Sequence, residues 1–235
     1  MTRAEFERMT EGAEVVSADE HGPKVLRTSA GLMVKLFRRK RLISSAMWNP
    51  YANRFAHAAK RMNESGFASV QVQMVRRVTG LNRDAVFYEE LGGEALRSLL
   101  NDDASAEKWL AKLAEEMARL HEKGVYFRAM HFGNVLVNVQ ETGIGYIDVS
   151  EMKFYARALS IGMRARNFRP MTRYAEDREG VERFGVQRFV ETYMKAAKLI
   201  AAEREAFVGT LRKVHEMFAK VAITVPARTN VGAPA

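Results

Sequence analysis

The feature that most limits the fold of this chain is a change of residue pattern at Leu91-Gly92-Gly93. Before this point, short apolar segments that suit strands alternate with turns rich in Gly, Pro and Asp, as in an antiparallel sheet. After it, apolar residues recur at helical spacing, most clearly over 104–122. A strand-rich part followed by a helical part predicts an α+β fold, with a small antiparallel β lobe first and a mostly helical lobe second.

The same patterns predict the individual elements. Strands are expected in AEVVSA, KVLRTS and LMVKLF and at 69–77 and 84–90, with one helix over 49–65 that ends at Gly66. The second part is expected to hold a helix over 104–122 that ends at Gly124, short strands at 135–139 and 145–148, and helical structure over 181–221. We therefore expect an N-terminal lobe at 1–91, a C-terminal lobe at 92–222 and a flexible tail at 223–235.

Composition and charge narrow the functional classes. The 235 residues, 47% of them hydrophobic, can bury a sizeable core, and the absence of cysteine excludes disulfides and thiolate metal sites. The N-terminus lacks the apolar run of a secretory signal, and no stretch approaches the roughly 18 apolar residues of a membrane span, so we expect a cytoplasmic protein. A formal net charge of +9 favours acidic partners, which include nucleic acids, phosphorylated sugars and an anionic membrane surface.

The most specific motif is LHEKGVYFRAMHFGNVLVN at 120–138. It is similar to the catalytic loop of bacterial small-molecule and lipopolysaccharide kinases, which reads L-H-x-x-G-x-x-H-x-D-x-H-x-G-N-x-L. In such a loop the Asn oxygen, here that of Asn134, holds magnesium, and the Asp five residues earlier orients the proton of the attacking hydroxyl. In this chain that earlier position is Ala129, which cannot accept a proton, and His131 is the nearest titratable side chain.

Two further segments carry the same resemblance. The segment VFYEELGGEALRSLL looks like the hinge of these kinases, whose extended backbone, here around Glu89 and Leu91, pairs with an adenine edge. In GYIDVSEM, Asp148 lies fourteen residues after Asn134 at the end of an apolar strand, which is the position of the Asp that bridges magnesium to the β- and γ-phosphates. The alternative for Asp148 is a cap on the segment that follows it.

Lys35, in LMVKLF, resembles the strand lysine that contacts the α- and β-phosphates. Its apolar neighbours indicate a buried strand, where a lysine needs an anionic partner; the alternative is an edge-strand lysine whose charged end reaches solvent. The usual partner is a Glu on the next helix, but aligning that helix from Gly66 places Phe55 there. Only Gly22 lies between the first two strands, so we expect no glycine-rich phosphate loop.

Over about residues 13–175 these motifs resemble the lipopolysaccharide core (heptose) kinase family, including the toluene-tolerance-type group of pseudomonads. The resemblance implies a bilobal protein-kinase-like fold, with ATP and Mg²⁺ as cofactors. It also implies a sugar hydroxyl of the lipopolysaccharide inner core as substrate, and so a peripheral place at the inner face of the inner membrane. The basic stretch after Asp148 would then contact substrate phosphates, with Arg164, Arg166 and Arg169 as candidates.

Three functions stay open on the sequence. The first is an ATP-dependent phosphotransferase that works by positioning despite Ala129, because phosphoryl transfer has a loose transition state. The second is a pseudokinase that binds nucleotide and regulates or scaffolds lipopolysaccharide assembly. The third is a basic nucleic-acid-binding module, but the basic runs lack the interleaved aromatic residues of a binding motif. Turnover separates the first two, and nucleotide binding separates both from the third.

Overall fold

The structure, a computed structural model, describes residues 1–39, 50–138 and 143–223 of the chain. The sequence has four consecutive basic residues at 38–41, of which 40 and 41 lie outside the described residues, as do residues 224–235 of the predicted tail. Packing divides the chain into two compact units, the first formed by Met1–Leu96 with Phe127–Lys153 and the second by Arg97–Tyr126 with Phe154–Ala235. The predicted lobes divide at residue 91, whereas by packing the segment that carries Asn134 and Asp148 groups with the strand-rich unit.

The described strands are β1 (Glu14–Asp19), β2 (Gly22–Arg27), β3 (Met33–Arg38), β4 (Ala68–Ser69), β5 (Gln71–Val78), β6 (Arg83–Glu89), β7 (Glu94–Ala95), β8 (Val125–Phe127), β9 (Val135–Asn138), β10 (Gly143–Tyr146) and β11 (Met152–Phe154). The described α-helices are α1 (Arg3–Met9), α2 (Tyr51–Glu64), α3 (Leu96–Leu99), α4 (Asp103–Glu122), α5 (Ile161–Arg166), α6 (Ala175–Phe184), α7 (Val186–Ala196) and α8 (Ala201–Leu211).

A five-stranded antiparallel sheet in the first unit has the strand order β1-β2-β3-β6-β5. Alternation along β3 places Val34 on one face of the sheet and Lys35 and Phe37 on the other. The first face is covered by α1, whose Phe6 is buried in the same apolar cluster as Val34. The second face meets α2, whose Phe55 ring lies 5.8 Å from the ring of Phe37. Lys35 therefore projects from the centre of the sheet towards α2.

Helix α1 is not among the elements predicted from the sequence. It begins with a capping box, in which Thr2 Oγ1 accepts a hydrogen bond from the Glu5 N–H at 3.2 Å and a Glu5 carboxylate oxygen accepts one from the Thr2 N–H at 2.7 Å. The T-x-x-E sequence was a readable signal for this helix start. Its seven residues are, however, too few for an apolar period to stand out.

A second sheet in the first unit has the strand order β4-β10-β9-β7. Strands β9 and β10 form an antiparallel hairpin, and β10 pairs in parallel with β4. The Ser69 hydroxyl donates to the Tyr146 carbonyl at 2.8 Å, and the Tyr146 ring meets Phe67 and Phe127 edge-on. The strand predicted at 145–148 is β10, two residues earlier than expected. Strands β8 and β11 pair with each other as a separate two-stranded sheet.

The second unit is built on the long helix α4, whose bounds the apolar spacing predicted to within one residue. The helix starts after Asp102, whose carboxylate accepts from the Ser105 N–H at 2.8 Å, and it ends before Gly124, which has φ 72°. Helix α4 packs against α6 and α7, and α5 packs against α8. The helical stretch predicted at 181–221 is divided between α6, α7 and α8, with a break at Gly185 where φ is 102°.

The core of this helical unit is aromatic. Phe168 packs edge-on against Phe189, Tyr193 and Phe207. The predicted α+β organisation, an antiparallel sheet region followed by a helical region, is confirmed. None of the helices in the described ranges combines the length and the apolar character that a membrane crossing requires.

Candidate functional site

A cavity of about 650 Å³ opens in the strand-rich unit. Its lining is mostly apolar, with a few polar groups that converge on one region, which is the usual character of a small-molecule site. The apolar lining includes Val25, Met33, Val70, Leu91 and Leu136. The polar lining includes Lys35, Asn134, Asp148 and Ser150, so three of the residues singled out in the sequence meet in one cavity.

The β9–β10 hairpin brings Asn134 and Asp148 together. Val135 is paired with Tyr146, and the Ile147 N–H donates to the Asn134 carbonyl at 3.0 Å, which extends the pairing by one step beyond the strands. Asn134 and Asp148 then lie at the same end of the hairpin. Asn134 and Asp148 are fourteen residues apart in the sequence, and this hairpin explains the separation. Its two strands run in opposite directions, so the chain comes back to the end from which it left.

Asn134 is buried and its side chain is oriented by the loop before it. Its Nδ2 donates to the Ala129 carbonyl at 3.0 Å, and the same carbonyl accepts from the His131 N–H at 2.9 Å. Asn134 Oδ1 accepts no hydrogen bond from the part of the chain that the structure describes. The backbone carbonyl of Ala129 therefore orients the Asn134 side chain, although the Ala129 methyl group cannot take a proton.

His131 stands at the start of the short 3-10 turn Phe132–Asn134. Its carbonyl accepts from the Asn134 N–H at 2.9 Å. This contact closes the loop over residues 129–134 and gives His131 a structural place next to Asn134. Its role as a substitute proton acceptor for the missing carboxylate stays a prediction.

Asp148 and Lys35 form an ion pair, with 2.7 Å between Lys35 Nζ and Asp148 Oδ1. Ser150 Oγ donates to the same oxygen at 3.4 Å. Asp148 has a left-handed backbone, φ 52° and ψ 47°, a conformation that costs free energy in a non-glycine residue and recurs at functional sites. The capping alternative for Asp148 is wrong, because its side chain makes no cap hydrogen bond to the turn that follows.

The alternative that Lys35 sits on an edge strand is also wrong. Strand β3 is the middle strand of five, and the Lys35 side chain is only 18% exposed. An ammonium in such a place requires an anion, and the structure supplies Asp148. The structure also brings Phe55 to Lys35, with 5.3 Å from Nζ to the ring centroid.

Tyr88, on β6, packs against Phe55, with 5.5 Å between the ring centroids. Burial, with smaller contributions from Glu90 and Asp148, raises the pKa of Tyr88 to about 12. Its phenol is therefore neutral at physiological pH. Tyr88 lines the cavity and was not singled out in the sequence, because it stands inside an ordinary strand pattern.

The predicted hinge follows β6. Glu89 is still paired with Gln71 in the sheet, and its carboxylate accepts from Gln73 Nε2 at 2.7 Å, so its side chain is directed to β5 rather than to the cavity lining. Leu91 does line the cavity. Gly145 permits this packing, because a Cβ at that position would overlap the Leu91 side chain. A glycine inside a strand is a signal for such close approach, and sequence reasoning passed over it.

A tight hairpin, in which Gly22 is the single glycine, joins β1 and β2. Asp19 is paired with Gly22, which leaves a two-residue turn, shorter than the five residues that the predicted strand bounds leave between the strands. The Arg83 guanidinium donates to the carbonyls of His21 and Pro23 and so holds this turn against β6. Arg83 was not singled out in the sequence, since its partners lie sixty residues away.

The three arginines expected to meet substrate phosphates lie in the helical unit. Arg164 is buried, with Nε donating to the Leu159 carbonyl at 2.8 Å and Nη2 donating to Glu122 at 2.9 Å. These contacts make Arg164 a structural residue of this unit, contrary to the expectation from the sequence. Arg166 and Arg169 are exposed.

The oxygen atoms at this site suit a hard metal ion that prefers oxygen ligands. Within the described ranges no group of three or more His, Asp or Glu side chains could hold a metal by itself. Asn134 and Asp148 offer one amide and one carboxylate group in the same cavity. Mg²⁺ is commonly held by one or two protein oxygens together with substrate phosphates and waters, so this donor set fits Mg²⁺ that arrives with a phosphate ligand.

Comparison with known proteins identifies the fold. No protein-family model matches the chain, and no curated protein matches it. Among solved structures, that of WaaP in complex with acyl carrier protein is similar, with 17% sequence identity and a TM-score of 0.54 over 92% of this chain and 98% of that chain. At this identity the similarity concerns the fold alone. The chain therefore has a WaaP-like, protein-kinase-like α+β fold.

Proposed function

We propose that this protein binds ATP with Mg²⁺ and belongs, in function, with the phosphotransferases of the lipopolysaccharide core. The observation that carries the proposal is the ion pair between Lys35 and Asp148 at 2.7 Å, in the cavity that Asn134 also lines. Three polar groups of the types that phosphoryl transfer uses thus converge beside an apolar chamber large enough for a nucleotide.

In this proposal each part of the cavity takes a defined role. The backbone from Glu89 to Leu91 meets the adenine edge, and the apolar lining encloses the ring. Lys35 exchanges its contact with Asp148 for the α- and β-phosphates. Asn134 Oδ1 and the Asp148 carboxylate hold Mg²⁺, which neutralises charge on the phosphates when bound. Tyr88 and the aromatic residues beside it exclude water from Lys35.

Ala129 supports a second candidate, a pseudokinase that binds nucleotide and regulates or scaffolds lipopolysaccharide assembly. General base catalysis is worth on the order of 10² to 10⁴ in rate, and a methyl group supplies none of it. The Ala129 carbonyl nevertheless holds Asn134 at 3.0 Å, which favours a loop kept for metal and nucleotide binding. Both candidates share the nucleotide site and differ in turnover.

The substrate class rests on the resemblance described above and on the similarity of fold. A sugar hydroxyl of the inner core is the proposed acceptor. Its phosphates would be bound by the exposed Arg166 and Arg169, because Arg164 is already bonded to Glu122. This substrate places the protein in the cytoplasm, in peripheral contact with the inner face of the inner membrane. The net charge of +9 supports that contact.

The first test is calorimetric titration of the purified chain with Mg-ATP. The wild type should bind, Asp148→Ala should lose Mg²⁺-dependent binding, and Asp103→Ala should bind like the wild type, because Asp103 is a surface carboxylate that does not line the cavity. Absence of Mg-ATP binding by the wild type would overturn the proposal.

The second test is turnover on isolated core oligosaccharide by the wild type and by Ala129→Asp. Turnover by the wild type that disappears in Asp148→Ala identifies an enzyme that works by positioning. Turnover by Ala129→Asp alone, on the order of 10² to 10⁴ above background, identifies a pseudokinase that has lost its base. Binding with no turnover by either variant rejects the oligosaccharide as substrate.

A further inference from the structure

The Lys35 ammonium lies beside α2 but meets no carboxylate of that helix. The sole acidic residue of α2 is Glu64, at its last position, where it lies 3.7 Å from Lys60. The residue of α2 that does reach Lys35 is Phe55, which is 1% exposed. A largely enclosed lysine on a central strand is thus held without a carboxylate from the helix that packs beside it.

Two aromatic rings lie beside the Lys35 ammonium instead. Lys35 Nζ lies 5.3 Å from the Phe55 ring centroid and 5.6 Å from that of Phe37. Phe37 is two residues from Lys35 on the same strand, and alternation puts both side chains on the same face. The Phe55 ring is held in turn by Phe37, at 5.8 Å, and by Tyr88, at 5.5 Å. Both distances to Nζ fall within the range of about 6 Å for cation–π attraction.

This arrangement has a physical consequence for the charge. The negative faces of the rings stabilise an ammonium that is largely removed from water, and the attraction grows as the group is desolvated. Ring faces attract over a broad area and compete with neither Asp148 nor a phosphate for the ammonium protons. The rings can therefore remain in contact with Lys35 when its hydrogen-bond partner changes.

We propose that Phe55, with Phe37, positions the Lys35 ammonium by cation–π contact and so takes the place of a helix carboxylate. The role assigned to Lys35 in phosphate binding rests on the proposed function, whereas the aromatic contact does not. Phe55 is in this sense a positioning residue, acting on the nucleotide through Lys35. Within the described residues, Asp148 is then the hydrogen-bond partner that a nucleotide has to displace to reach Lys35.

The test makes the face of the Phe55 ring less negative while the shape of the ring stays nearly the same. Phenylalanine with three ring fluorines, introduced only at position 55, weakens the negative ring face while the residue stays aromatic and buried. Phe87 is the matched control, because it is 1% exposed and packs in the apolar cluster on the opposite face of the same sheet. Thermal unfolding of both proteins verifies that they keep the wild-type fold.

Two readouts separate this inference from the proposed function. The first is the rate at which Lys35 is acetylated by acetic anhydride without nucleotide, followed by mass spectrometry. Fluorination at 55 should raise that rate about two- to tenfold, because the end of the Lys35 side chain is no longer held against the ring face, and fluorination at 87 should leave it unchanged. The second is the dissociation constant for Mg-ATP, which should rise about two- to tenfold with fluorination at 55 alone.

Each outcome decides one point. Equal rates in the wild type and in both fluorinated proteins would overturn the aromatic positioning of Lys35. A changed acetylation rate at 55 with no Mg-ATP binding by any protein would uphold the aromatic contact and overturn the nucleotide site. Phe37→Leu, which removes the second ring from the strand itself, should raise the acetylation rate in the same direction, and a rate equal to that of the wild type would exclude Phe37 from the pair.

Discussion

His121 is a fully buried titratable group of the helical unit. Its Nε2 lies 3.1 Å from Asn167 Oδ1 and its Nδ1 lies 2.7 Å from the Tyr193 hydroxyl. Because the amide oxygen only accepts, Nε2 carries the hydrogen and Nδ1 accepts from Tyr193. Burial lowers the pKa of His121 to about 3, and so the ring stays neutral at physiological pH.

This neutral histidine predicts a loss of stability in mild acid. Below about pH 6.5 the unfolded chain takes up a proton at His121 that the folded chain does not bind until about pH 3. The free energy of unfolding should therefore fall as the pH drops through this range, by up to about 1.4 kcal/mol per pH unit from this group. Urea unfolding at a series of pH values measures the slope.

Two histidine variants isolate the contribution of His121 to that slope. His121→Gln should flatten it, while His21→Gln, at an exposed position, should not. An unchanged slope in His121→Gln would show that other groups cause the acid sensitivity.

A second prediction at this scale concerns Asp177, which is fully buried and accepts from Arg97 Nε at 2.6 Å and Nη2 at 2.9 Å. Asp177→Ala should lower the free energy of unfolding by about 3 kcal/mol, because it removes two charge-assisted hydrogen bonds of a fully buried carboxylate and leaves the partly exposed Arg97 guanidinium without this partner. Glu107→Ala breaks the exposed pair with Arg188 and should cost less than about 1 kcal/mol. Chemical denaturation measures both, and equal losses would contradict the role given to burial.

At the scale of elements, the join between α4 and β8 depends on one glycine. Gly124 has φ 72°, and a Cβ there would overlap the carbonyl oxygens of Tyr155 and Arg157. Gly124→Ala should therefore lower the free energy of unfolding by about 3 kcal/mol, from the left-handed backbone and the overlap together. Gly209→Ala is the control, because Gly209 lies within α8 with open space around it, and it should stabilise by up to about 1 kcal/mol. Thermal or urea unfolding of the two variants should give shifts of opposite sign.

The local residue pattern predicted the longer helices and strands well. Helices α2 and α4 and strands β3 and β6 lie within one or two residues of their predicted bounds, because each is long enough for its apolar period to show. Helix α5 was not predicted: its six residues contain Arg164, whose burial against Leu159 and Glu122 cannot be read from the segment itself. A short element that depends on contacts with residues far away in the sequence has little residue pattern from which it can be predicted.

At the scale of the whole molecule, the net charge of +9 predicts binding to anionic membrane surfaces. Each Lys or Arg near such a surface contributes about 1 kcal/mol, and the attraction is screened as the Debye length falls from about 10 Å at 0.1 M salt to about 3 Å at 1 M. Co-sedimentation with vesicles should show binding to anionic lipid at low salt and little at high salt. Neutral vesicles are the control. Binding that is equal at both salt concentrations would mean that charge is not the cause.

Several features of this protein could be read from neighbouring residues alone. The order of sheet and helix, the presence of a turn between β1 and β2, and the absence of a side-chain carboxylate at Ala129 all follow from short stretches of sequence. The spacing of Asn134 and Asp148 was also visible, because a single hairpin between them sets it. Local hydrogen bonding and side-chain alternation act over a few residues, and so a few residues reveal them.

The surroundings of each functional side chain were a matter of packing between distant segments. Phe55 reaches Lys35 because α2 lies against the central strand, and Arg83 holds a turn sixty residues before it. His121 finds its partners forty-six and seventy-two residues later in the chain, and Arg164 is drawn into the interior of the helical unit. The burial of a charged group and the identity of its neighbours depend on the sum of many such contacts. Desolvation and ion pairing act between the groups that the fold brings together, however far apart these groups lie in the chain.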